Sequence, residues 1–112
     1  MSIDVVLESG VNGFAEDKDQ AKEIRTSKLL PALARQEHVV LDFAAVRYAT
    51  QSFIHALIGE TLQKHGKKAL EMLEFRNCSA PVRSVVELVV DYSLGGFAEK
   101  HGESVDRVPL EQ

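Results

Sequence analysis

Residues Val39 to Gly59, VVLDFAAVRYATQSFIHALIG, constrain the fold most tightly. Val39, Val40, Leu41 and Phe43 form a near-continuous apolar run, the pattern of a strand covered on both faces. Ala49-Thr50-Gln51-Ser52 then puts small polar residues where a helix must begin. In the following helix, Ile54, Leu57, Ile58 and Leu62 fall on one stripe at helical spacing. A strand feeding directly into a hydroxyl-capped helix is an α/β arrangement, and unbonded backbone N–H groups at such a helix start suit a phosphate.

The rest of the chain fits around that unit. Ile3 to Leu7 reads as a first strand, and Glu8 to Glu16, with Gly10, Asn12 and Gly13, as a turn or hairpin loop with room for a second short strand. Asp17 or Asp19 caps a helix running through Ala21, Ile24, Leu29, Leu30 and Leu33, and Pro31 predicts a kink or break in it. His38 to Phe43 is the central strand. Ser52 to His65 is the second helix, closed by Gly66 as an αL cap, and Leu70 to Phe75 is a strand. Ser79 caps a third helix whose Val82, Val85, Val86 and Val89 face inward. Tyr92 to Phe97 reads as a turn. The order β, α, β, α, β, α predicts a single-domain α/β sandwich over residues 1–98, with helices packed on a mixed β-sheet and a polar C-terminal tail over 99–112.

The 112 residues allow one domain. A net charge of −4 without a basic stripe argues against a nucleic-acid partner. Lys67-Lys68 reads as a solvated loop. A lone cysteine, Cys78, excludes an internal disulfide, fits a reducing cytoplasm, and reads as a small core residue. No basic start or long apolar run marks a signal peptide or a membrane span, so a cytoplasmic protein without a membrane partner is expected. His38, His55, His65 and His101 show no metal spacing, so neither metal nor cofactor is expected.

Several residues are candidates for a site. Thr50 and Ser52 are helix N-caps or, alternatively, phosphoacceptors. Phe53 lies off the apolar stripe and reads either as a rim residue on Tyr48 or as an exposed aromatic anchor. Asp42 ends the central strand and either binds backbone N–H groups in the 44–49 loop or supplies acidity near Ser52. His55 lies three residues after Ser52 on one helix, within reach of its hydroxyl. No third orienting group accompanies that pair, so no catalytic residue is assigned and no enzyme is expected.

Leu41-Asp42-Phe43-Ala44-Ala45-Val46 and Tyr48-Ala49-Thr50-Gln51-Ser52 resemble the strand-hinge-helix core of the STAS domain, the fold of the anti-sigma factor antagonists. Asn77-Cys78-Ser79-Ala80-Pro81-Val82-Arg83 resembles the opening of that fold's next helix. The likeness runs from about Gly13 to Leu94 and is closest to the STAS-like branch of unassigned function. It implies a protein-docking module whose partner is a histidine-kinase-like ATPase or an anti-sigma factor. Thr50 falls at the family's aspartate, Gln51 at its phosphoacceptor and Ser52 at its second serine. Glutamine accepts no phosphate, so the resemblance leaves Ser52 or Thr50 as acceptor. It implies Tyr48, Thr50, Gln51, Ser52, Phe53 and His55 as the docking surface, with Asp42 and Asp17 as supporting acids. Phe53 stands where the family often has glycine. Two other functions stay open: a self-associating scaffold with a homodimer patch at Leu88, Val90 and Tyr92, and a small-ligand or nucleotide sensor.

Overall fold

The structure is a computed structural model, and it describes residues 2–95. Its core is a sheet of β1 (Ser2–Val6), β3 (His38–Asp42) and β5 (Leu73–Arg76) in the order β1-β3-β5. The central strand pairs on both sides, Val39 opposite Ile3 and Leu73, Leu41 opposite Val5 and Phe75. That placement explains its unbroken apolar run: Val39 and Leu41 are fully buried and Val40 nearly so. Phe43 follows the strand into the core and meets Phe75 with ring centroids 6.4 Å apart. A second, two-stranded sheet joins β2 (Phe14–Ala15) to β4 (Tyr48–Ala49).

The fold is α/β, as expected, but every described strand pair is parallel where a mixed sheet was expected. The loop after β1 closes no hairpin. Its strand β2 pairs with β4 far along the chain, and a helical crossover between the two strands of each pair keeps that pair parallel.

Helix α1 spans residues 18–34. Asp17 caps it, its carboxylate accepting from the Asp19 and Gln20 N–H groups at 3.0 and 3.3 Å. The break expected near Pro31 is not found; instead a π turn, Arg25–Leu29, precedes Leu30-Pro31. There the Leu30 N–H reaches back five residues to the Arg25 carbonyl. The wider turn accommodates a ring that has no N–H to offer, and the rod continues unbroken.

Helix α2 spans residues 51–65, beginning one residue before the expected start, and holds a second π turn at His55–Gly59. Gly66 follows with φ 71° and ψ −158°, a conformation outside αL that glycine alone adopts without strain. It redirects the chain into a short helix, α3 (Lys67–Glu71), where a loop and the start of a strand were expected. Lys, Ala, Leu and Glu are good helix formers, and Ala69 buries against the core, so the strand waits until Leu73. Helix α4 (Ala80–Ser93) is capped by Ser79, which accepts from the Val82 N–H at 3.3 Å. Val82, Val86 and Val89 are buried, and Val85 is partly so. The turn expected at Tyr92 begins later, because Tyr92 and Ser93 still belong to α4. Phe97 and the tail expected from Glu99 lie outside the described residues.

Candidate functional site

The site is the end of β4 and the first turn of α2. Thr50 is the N-cap: its hydroxyl oxygen accepts from the Phe53 N–H at 3.1 Å, while its own N–H donates to the Ala15 carbonyl at 3.0 Å. This shows which of the two hydroxyls, Thr50 or Ser52, caps the helix. Thr50 is partly buried and holds the helix start; Ser52 is exposed within the first turn, and among the described residues its hydroxyl makes no hydrogen bond. Gln51 is exposed beside it.

Phe53 is fully buried, which corrects its assignment as rim residue or anchor. The single stripe of Ile54, Leu57 and Ile58 understates the buried arc, because α2 packs between α1 and α4 and shows apolar side chains to both. The aromatic neighbour of Tyr48 is instead Phe14, its register partner across the β2–β4 pair, with ring centroids 5.6 Å apart. Both rings are more than two-fifths exposed, so the pair forms an apolar knob just before the helix start. Phe14 was not singled out in the sequence. It sits among turn residues, and only the long-range β2–β4 pairing brings it to Tyr48.

The two acids are structural. Asp17 caps α1. Asp42 accepts from the Ala44 N–H at 2.9 Å and from Asn77 Nδ2 at 3.0 Å, tying the end of β3 to the segment before α4. The Asn77 amide foremost, then the Ala44 N–H, holds the Asp42 carboxyl below its ordinary 3.8. A lowered folded-state value stabilises the fold above about pH 4, and the contribution vanishes as pH falls through the folded-state value. The melting-temperature gap between wild type and Asp42→Ala is therefore expected at pH 6 and to shrink below pH 3. A gap independent of pH contradicts this role.

Across from the first turn of α2 stands α1. Lys18, Lys22, Gln51, Ser52, His55 and Glu60 line one open cleft of about 460 Å³. His55 faces this cleft half-buried and lies against Gly59, where a Cβ would come within 2.6 Å of its Cδ2. No hydrogen bond joins His55 to Ser52 among the described residues.

The floor of the cleft is pinned by Arg25. In the π turn of α2 the Glu60 N–H bonds to the His55 carbonyl, so the Ala56 carbonyl is left for another donor. The Arg25 guanidinium takes it at 2.9 Å and holds the Glu60 carboxylate at 2.9 Å. Its side chain is only 11% exposed. Arg25→Ala leaves a buried carbonyl unpaired and is expected to cost about 1–3 kcal/mol in urea unfolding. Glu60→Gln, at an exposed partner, is expected to cost under about 1 kcal/mol. Equal costs contradict the assignment of Arg25 to the bulge carbonyl.

Elsewhere, burial pushes the Cys78 thiol up, which makes it a poor nucleophile. Among the described residues no group of three His, Cys, Asp or Glu side chains gathers for a metal, and no helix is long and apolar enough to cross a membrane.

A parallel-sheet α/β domain with helices packed on it fits a STAS-like domain. A profile of the family described as "STAS-like domain of unknown function (DUF4325)" matches residues 20–83, more than half of the chain. The chain belongs to this family. No curated protein and no solved structure matches it.

Proposed function

We propose that this protein is a non-enzymatic docking module whose grip on a protein partner is set by phosphorylation of Ser52. The observation that carries this reading is the contiguity of an exposed aromatic pair, Phe14 and Tyr48, with an exposed hydroxyl that has no structural bond to keep among the described residues. Aromatic side chains anchor interfaces because they remove much apolar area from water at little entropic cost. A phosphate beside such an anchor adds nearly two negative charges where the partner must exclude water.

Tyr48, Phe14, Gln51, Ser52 and His55 form the docking face. Phe53 supports it from beneath, and Thr50 holds the helix start. On this reading the partner is a histidine-kinase-like ATPase or an anti-sigma factor, and the switch works in the cytoplasm, where ATP is available. The test is calorimetric titration of such a partner with wild type, Ser52→Glu and Tyr48→Ala. Weaker binding by both variants, with unchanged melting temperatures, is the expected outcome; unchanged affinity for both overturns the reading.

A second reading rests on α4. Leu88 and Tyr92 are one turn apart, 51% and 67% exposed, whereas Val90, expected in the same patch, lies round the helix and packs against the core. Such a stripe suits self-association. It would show as a mass that rises with concentration and returns to the monomer in Leu88→Glu.

A further inference from the structure

We propose that a phosphate carried by Ser52 is held within the same chain by Lys18 and Lys22, which makes the α1–α2 cleft its receptor. This rests on the reading of Ser52 as acceptor and specifies how the modified state is built. Lys18 and Lys22 are four residues apart on α1, so they project from one face toward the cleft that Ser52 lines. Among the described residues neither lysine is in an ion pair. The remaining titratable side chains on the cleft are Glu60, whose carboxylate Arg25 holds at 2.9 Å, and His55. The cleft therefore offers two uncommitted cations opposite one uncommitted hydroxyl, which matches the charge of a phosphate monoester dianion.

The modification is ordinary phosphoryl transfer. A protein kinase supplies ATP; the Ser52 Oγ–P bond forms as the bond between the γ-phosphorus and the bridging oxygen breaks. ADP leaves with that electron pair, and the hydroxyl proton passes to the kinase's base. The phosphate then bridges to Lys18 and Lys22 and ties α1 to the first turn of α2. The switch is thus a closure of this cleft as well as a change of charge on the docking face.

The experiment installs phosphoserine at position 52 during translation of the full chain, so that no kinase is required. The second ionisation of the phosphate is followed by phosphorus NMR. With the lysines in place, it is expected about one unit below the value near 6 of an unconstrained phosphoserine. In Lys18→Gln/Lys22→Gln it is expected to lose most of that shift. The unmodified double variant should melt with unmodified wild type, which shows that both fold. An unshifted ionisation, or a shift that survives loss of both lysines, overturns the proposal. The docking reading is judged separately by partner affinity. A lysine-dependent shift with an indifferent partner keeps the cleft and removes the docking role; weakened docking without the shift does the reverse.

Discussion

Phe53→Ala is expected to bring the protein close to unfolding, at a cost of about 3–5 kcal/mol. The ring is fully buried among Ile54, Leu57 and the rest of the core where α2 meets α1 and α4. Removing it forfeits the transfer energy of a large apolar group and leaves a void that close-packed neighbours fill only in part. A small domain has about 5–15 kcal/mol in total, so the melting temperature should fall by more than about 10 °C. Phe53→Leu keeps most of the volume and should lose far less. Thermal and urea unfolding of both variants checks this. A loss below about 0.5 kcal/mol for the alanine variant, the usual size for a surface position, contradicts the burial.

Ser52→Glu is expected to leave the fold intact and weaken partner binding by at least about tenfold, equivalent to 1.4 kcal/mol. The two halves have different causes. An acid in the first turn of a helix interacts favourably with the aligned peptide dipoles, so stability should hold or rise slightly. The same charge on the docking face must lose its water when the partner closes over Phe14 and Tyr48, and that raises the dissociation rate. Ser52→Ala, which removes a hydroxyl with no bond among the described residues, should bind like wild type. Melting curves and surface-based binding kinetics separate the halves; a Ser52→Ala variant as weak as Ser52→Glu would show that the hydroxyl itself makes the contact.

What the sequence reveals and what it hides divide along the range of the interactions. Caps are local, and Asp17 and Ser79 act as residue type and spacing predict. The central strand is also local in its signature, since burial on both faces is written as consecutive apolar residues. At Thr50 the local rule identified two hydroxyls but not which was the cap; the backbone geometry at the first turn decides for Thr50. Pro31 predicted a break in α1, and a π turn stands before it instead. The matching π turn in α2 has no such marker, and Arg25 meets its freed carbonyl only through the packing of two helices. Phe14 and Phe53 are the clearest exchange. A helical stripe ranks Phe53 as outward because it counts one packed face, whereas α2 has neighbours on two sides. Phe14 lies in a turn-rich segment, and the residue it needs is 34 positions away in the β2–β4 register. Lys18 and Lys22 carry no local signal, because only the packing of α2 against α1 brings them to the cleft that Ser52 lines.

The most direct test of the docking role is capture from host lysate on four immobilised baits: wild type, Ser52→Ala, Ser52→Glu and Tyr48→Ala. Recovered proteins are quantified by mass spectrometry. The expected result is one ATPase-fold kinase or anti-sigma factor held by wild type and Ser52→Ala and depleted at least about tenfold on the other two baits. Recovery of the same proteins in equal amounts on all four would contradict a docking face at Ser52 and Tyr48.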